Sequence, residues 1–133
     1  MTAPTALDLA KRLIAQPSIT PATGSVFDEM EAMLVPLGFE ISRFIAGDAP
    51  EDGELGGPVE NLFAIRRGST DSPHFSFAGH LDVVPPGEGW QTNPFLPEVR
   101  GDLLHGRGAV DMKGSIAAFV SALHQLPDDL GTI

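Results

Sequence analysis

Three side chains of this 133-residue sequence could carry chemistry: His80, Asp82 and Asp111. The first two lie in Phe77-Ala78-Gly79-His80-Leu81-Asp82-Val83-Val84-Pro85, where a mostly apolar run ends in His-x-Asp. In extended chain, residues i and i+2 face the same way, so His80 and Asp82 point together and Leu81 points opposite. Ligands of open α/β sheets gather beyond the carboxyl ends of strands, where this pair would sit. One imidazole nitrogen can take a metal while the other donates to a carboxylate, which fixes the tautomer. The plainer reading is a loop histidine satisfied by its neighbour, and a bare His-x-Asp favours that reading.

Asp111 lies in Gly106-Arg107-Gly108-Ala109-Val110-Asp111-Met112-Lys113-Gly114-Ser115, a glycine-rich bend opening a helix. A carboxylate just before a first turn can cap the helix. With two free oxygens it can also bridge two metals, although the segment alone fits capping better. Helix N-termini attract anions as well. A phosphate loop, however, needs Gly-Lys-Ser, and here the order is Lys113-Gly114-Ser115 without the required glycine spacing. His74, His105 and His124 have no carboxylate at ligand spacing and are expected to be structural or exposed.

These residues need a frame. Residues 5–16 read as a helix, with Thr5 and Asp8 as a capping pair, an apolar face of Ala6, Leu9, Ala10, Leu13 and Ile14, and Pro17 as the stop. Residues 25–37 read as a second helix, with Val26, Met30, Met33, Leu34 and Leu37 inward, Gly38 at its end and Pro36 as a blemish in the last turn. Residues 39–45 read as a strand, and residues 46–58, rich in Gly, Pro and acids, as an exposed loop. Residues 61–66 read as a buried strand. Residues 74–79 read as an alternating strand with Phe75 and Phe77 on one face. A proline-rich loop from His80 to Pro97 follows, with Trp90 and Phe95 expected to pack it down. Residues 98–105 read as a hairpin turning at Gly101-Asp102, which is also the plain reading of Arg100-Gly101-Asp102. Residues 113–126 read as a helix with Ile116, Phe119, Val120 and Leu123 inward, and residues 130–133 as the start of another strand. Mixed helices and strands imply an α/β or α+β layered domain.

Composition narrows the chemistry. A formal net charge of −10 at pH 7 argues against nucleic acid and against anionic membrane surfaces. With no cysteine, disulfides and thiolate metal sites are excluded, so any metal must use His, Asp or Glu. That fits a cytoplasmic protein. The N-terminus lacks a basic stretch followed by an apolar run, so no secretory signal is expected. No segment approaches about 18 uninterrupted apolar residues, so none is expected to span a membrane.

Three blocks together are more specific than any one. Gly79-His80-Leu81-Asp82-Val83-Val84-Pro85, then Trp90-Gln91-Thr92-Asn93-Pro94-Phe95, then Gly106 to Gly114 resemble, in order and separation, the di-zinc amidohydrolases that include aminoacylases, acetylornithine deacetylase and glutamate carboxypeptidases. The similarity extends weakly over the whole chain, including Pro17-Ser18-Ile19-Thr20-Pro21. Within that family the first and third blocks look most like the desuccinylase branch.

The resemblance implies an α/β, mixed-sheet, zinc-peptidase-like catalytic domain. Residues 1–133 would be its N-terminal portion, without the smaller lid and dimerisation domain. It implies two zinc ions, with cobalt an alternative, in the full-length protein. His80 would be a ligand of one metal, Asp111 would bridge both, and Asp82 would serve catalysis by orienting His80. The peptide bond after Asp111 would be cis. The metals would activate a water and polarise the amide of a small-molecule substrate, releasing succinate and a free amine. The full-length protein would be a homodimer. The family's Glu-Glu pair, its later carboxylate ligand and its last histidine ligand fall beyond Ile133, so the chain alone is expected to be inactive and to bind zinc weakly. The alternatives are another substrate within the family, as for an acetylornithine deacetylase or a peptidase, or a non-catalytic binding module.

Overall fold

The computed structural model describes residues 2–49 and 56–133. Helix α1 spans Ala6–Ile14, α2 Ser25–Leu34 and α3 Gly114–Leu123. Strands β1 (Glu40–Ala49) and β2 (Gly57–Ile65) form one antiparallel pair, and β3 (Glu98–Arg100) and β4 (Leu103–His105) a second.

Helix α1 starts where the local chemistry requires. The Thr5 hydroxyl accepts from the Asp8 amide, and the Asp8 carboxylate accepts from the Thr5 amide. This capping box satisfies two donors that the first turn leaves free. Leu9, Ala10, Leu13 and Ile14 are buried, the face expected from their spacing. Together with Val26, Phe27, Met30, Met33 and Leu34 of α2 and Ile116, Ala117, Val120 and Leu123 of α3 they make the core. Phe27 and Ala117 belong to it although neither was read as inward, because the buried arc of each helix is wider than a single stripe.

The second helix ends earlier than its periodicity suggests. Val35–Leu37 tighten into a 3₁₀ turn and Gly38 (φ 85°) closes it in the left-handed region. Pro36, with no amide to donate, fits that turn better than a continuing α-helix.

The largest correction concerns residues 46–58. The strand starting at Glu40 continues to Ala49, and β2 begins at Gly57, with Asp48 paired to Pro58 and a register shift between Ile45 and Asp48. Cross-strand pairing overrides the loop composition at these positions. The centre of the expected loop, residues 50–55, lies outside the described residues. Arg43 on β1 joins this ribbon to α2 by pairing with Asp28 at 2.6 Å and Glu60 at 2.7 Å.

β2 is only half-buried rather than buried, and Phe63 is exposed. Residues 74–79 form no regular strand. Phe75 and Phe77 do share a face, as expected, and both lie over Phe119, with ring centroids at 6.1 and 4.4 Å. The segment 130–133 lies between these two pieces. Ile133 exchanges both backbone hydrogen bonds with Arg66, and the Phe75 amide donates to the Thr132 carbonyl. An apolar groove of about 770 Å³ separates β2 from residues 74–82. The hairpin turns at Gly101 (φ 59°), as expected.

Leu13 has no exposed surface and lies between α1 and α3. Leu13→Ala is expected to lower unfolding free energy by about 2–5 kcal/mol in urea titrations, the range for buried leucines that leave a cavity.

Candidate metal centre

His80, Asp82 and Asp111 come together although 31 residues separate the first from the last. The His80 Nδ1 lies 3.1 Å from the Asp82 carbonyl oxygen and 3.2 Å from Asp82 Oδ1. Both are acceptors, so Nδ1 carries a proton and donates it. On the other side of the ring, Nε2 lies 3.0 Å from Asp111 Oδ1. Two states satisfy that geometry. Either the ring is an imidazolium donating at both nitrogens, or it is neutral and a cation sits between the Nε2 lone pair and the Asp111 carboxylate.

The residues therefore fit part of a metal site. Zinc bonds of about 2.0–2.2 Å at a tetrahedral angle place neighbouring ligand atoms roughly 3.3 Å apart. Nε2 and Oδ1 are close to that separation, and the second nitrogen has the carboxylate partner that metal-bound histidines use. Among the described residues no group of three or more His, Cys, Asp or Glu side chains converges on one point. A catalytic zinc takes three protein ligands, and His80 and Asp111 could supply two of them.

Asp111 does not cap the following helix, which corrects the local reading of its segment. Its side chain is 82% exposed and pairs with His80, and α3 has no side-chain cap. The reason lies in the backbone. Across the irregular turn Ala109–Lys113, Asp111 (φ −126°, ψ 96°) and Met112 (φ −135°, ψ 23°) leave helical geometry, which separates Asp111 from the free amides of α3. The Asp111–Met112 peptide bond is cis, as the family resemblance implies. Gly108 (φ 86°) allows the turn to close on the first segment, since a Cβ there would lie 2.7 Å from Val83 Cγ1.

The other expectations sort simply. His74 is exposed, and His105 and His124 are partly buried. None pairs with a carboxylate among the described residues, although His105 shares with His80, Asp82 and Asp111 the wall of a cavity of about 360 Å³. Trp90 packs its loop down by donating to the Pro86 carbonyl at 2.8 Å, with the Arg107 guanidinium 5.3 Å from its ring centroid.

Two residues that the sequence did not single out are built into the surroundings. Lys113 is fully buried beneath the turn, and Ser18 is buried against the extended segment that carries His80. A lysine followed by Gly-Ser has no local pattern that marks it as buried, and only the packing of α1 against α3 reveals it. Burial pushes the Lys113 ammonium down to about 8, against the pull of the Asp82 charge.

Burial is the largest single influence on His80 and disfavours its charged form. The hydrogen bonds to the Asp82 carbonyl and the Asp111 carboxylate, with both aspartate charges, outweigh it and raise the ring above its ordinary value. A raised folded-state value means that His80 stabilises the metal-free fold most below its unfolded value of about 6.5, and that this is lost as pH rises through the folded value. NMR titration of the metal-free chain is expected to find His80 protonated to higher pH than the ordinary histidine value of about 6.5, and Asp111→Asn to bring it down. A His80 value at or below the ordinary one would contradict the arrangement.

Residues 76–133 match peptidase family M20/M25/M40. The chain is 66% identical over 128 residues to the succinyl-diaminopimelate desuccinylase of Erythrobacter litoralis, covering 96% of this chain and 34% of that protein. It is 66% identical over 125 residues to the same enzyme of Novosphingobium aromaticivorans, covering 94% and 32%. The crystal structure of human carnosine dipeptidase 1 superposes with a TM-score of 0.77 at 25% identity, over 96% of this chain and 30% of that one. The chain thus spans about a third of the length of the curated relatives it matches. No helix among the described residues is long and apolar enough to cross a membrane. The chain is thus similar, over nearly all of its length, to about a third of the length of the succinyl-diaminopimelate desuccinylases and in fold to part of carnosine dipeptidase 1, and the segment that carries His80, Asp82 and Asp111 lies within the match to peptidase family M20/M25/M40.

Proposed function

We propose that this chain is the N-terminal portion of the catalytic domain of a metal-dependent amide hydrolase. The reaction of the whole protein is hydrolysis of N-succinyl-L,L-diaminopimelate to succinate and L,L-diaminopimelate, a step of lysine and diaminopimelate biosynthesis. The observation that carries this reading is the His80 ring, held through Nδ1 by Asp82 and turned through Nε2 towards Asp111. The names of relatives at 66% identity support the substrate.

Each residue has a part that its surroundings support. Asp82 accepts the hydrogen bond from Nδ1–H, so the Nε2 lone pair of the neutral ring is free to bind a cation. Asp111, largely exposed, has oxygens free to reach two cations. Two divalent ions, zinc with cobalt as an alternative, would supply a nucleophile from water at neutral pH and polarise the amide carbonyl. The cavity beside His80, walled by Trp90 and Arg107, offers room for the acylated amine. With two ligands in place, the chain by itself is inactive and holds zinc weakly. The whole protein is a cytoplasmic homodimer, and it binds neither nucleic acid nor membrane.

A peptidase is the second reading, favoured by the likeness to carnosine dipeptidase. A non-catalytic module fits less well, because a binding role gives no reason to keep an imidazole between two carboxylates.

The longest gene product that carries this sequence, supplied with zinc, is expected to hydrolyse N-succinyl-diaminopimelate in preference to N-acetylornithine and to dipeptides. His80→Ala and Asp111→Ala are each expected to reduce kcat by at least about 100-fold, the scale on which lost electrostatic stabilisation of a transition state is felt. Turnover of the acetyl substrate or a dipeptide alone would refute the desuccinylase assignment and keep the family. No turnover with metal bound would refute the hydrolase reading.

A further inference from the structure

The two halves of the candidate centre share one support. Helix α1 ends at Ile14, and the chain then runs through Gln16, Pro17, Ser18, Ile19 and Thr20. On one side this stretch holds the segment that carries His80. The Ser18 hydroxyl donates to the Leu81 carbonyl at 2.7 Å, the Val83 amide donates to the Ser18 carbonyl at 2.8 Å, and the Thr20 amide donates to the Val83 carbonyl at 3.0 Å. Leu81 lies between His80 and Asp82, so these bonds fix the strand on both sides of Asp82.

On the other side the same stretch holds the turn that carries Asp111. Lys113 Nζ donates to the Leu13 carbonyl at 2.9 Å and to the Gln16 carbonyl at 3.0 Å. These carbonyls are at and just beyond the end of α1, where the helix dipole favours positive charge. The Lys113 amide donates to the Gly108 carbonyl at 2.9 Å, and the side chain passes close beneath Gly108. Both ends of the Asp111 turn are therefore referred to α1.

An ammonium fully removed from water is costly even when its hydrogen bonds are made, and an apolar residue of similar volume commonly serves stability as well or better. Core packing alone does not call for a lysine at position 113. A function that needs a directed, fixed-length contact between the Asp111 turn and α1 does.

We propose that Leu13–Thr20 is the common mount of the metal centre, with Ser18 and Lys113 as positioning residues that set the His80 strand and the Asp111 turn at metal-binding distance. This rests on the reading of His80 and Asp111 as metal ligands. Neither positioning residue touches the metal. Ser18 acts through the backbone of Leu81, next to His80, and Lys113 through its own backbone, two residues after Asp111, one step further out than the partners that hydrogen-bond metal ligands directly.

The test is zinc affinity of the 133-residue chain, measured by competition with a chromophoric chelator, beside thermal unfolding of the same metal-free samples. The variants are Lys113→Met, Ser18→Ala, His80→Ala and Asp111→Ala. Lys113→Met and Ser18→Ala are each expected to weaken zinc binding by about 10- to 100-fold, the range for lost outer partners. The melting temperature of Lys113→Met is expected to stay level or rise. If Lys113→Met and Ser18→Ala bind zinc like the parent chain while His80→Ala and Asp111→Ala do not, the mount is refuted and the metal site stands. If His80→Ala and Asp111→Ala also leave zinc binding unchanged, the metal site itself is refuted. If Lys113→Met does not fold, lysine serves the core and its positioning role is refuted, while Ser18→Ala decides the other half.

Discussion

The ammonium of Lys113 against the Leu13 and Gln16 carbonyls, at and just beyond the end of α1, is the contact on which the arrangement depends. It crosses about a hundred residues of chain and lies where the hydrophobic core meets the polar site. Helices α1 and α3 pack through Leu9, Leu13, Ala117 and Val120, which is non-directional burial and tolerates small shifts. A buried charge with two short hydrogen bonds does not tolerate them, because any displacement leaves it unpaired in a medium that solvates it poorly. The lysine thus converts the looser agreement of two packed helices into a defined distance. That distance separates α1 from the turn in which Asp111 is exposed.

From there the electrostatics follow. The Nδ1 of His80 is surrounded by acceptors from Asp82, and Nε2 looks at a carboxylate. In the metal-free chain a proton on Nε2 resolves the conflict, and the ring is accordingly more basic than a free histidine. A divalent cation bound at Nε2 would compete for the position of that proton, so its binding would weaken on acidification. The surrounding negative charge that raises the ring's basicity also favours the metal. Site and proton affinity are two expressions of one arrangement.

The sheet supports this less directly. β1 and β2 are tied to α2 through Arg43, which lies among Asp28, Glu31 and Glu60. This ribbon is on the far side of the apolar groove from residues 74–82, which lack a regular ladder of their own. The strand end bearing His80 is consequently held by the α1 loop, by the His80 amide against the Met112 sulfur, and by Phe77 stacked on Phe119. Its order derives from helices and loops rather than from sheet pairing.

Much was legible in the sequence. The capping pair Thr5 and Asp8, the apolar faces of the three helices and the Gly101 turn are local patterns, and local sterics decide them. His80 and Asp82 on one side follow from strand geometry, and the order of three short blocks identified the relatives. Other features depend on parts distant in the chain. Composition made residues 46–58 a loop, yet pairing with the opposite strand extends β1 to Ala49 and starts β2 at Gly57. Asp111 read locally as a helix cap, and only the geometry of its turn and the nearness of His80 freed it for another role. Lys113 and Ser18 carried no signal, because a buried hydrogen bond to a carbonyl some 60 to 100 residues away leaves no periodicity or spacing behind. The sequence by itself determined which chemistry was available and which helices would form. Tertiary structure decided which of those groups meet, because only packing sets distances between residues far apart in the chain.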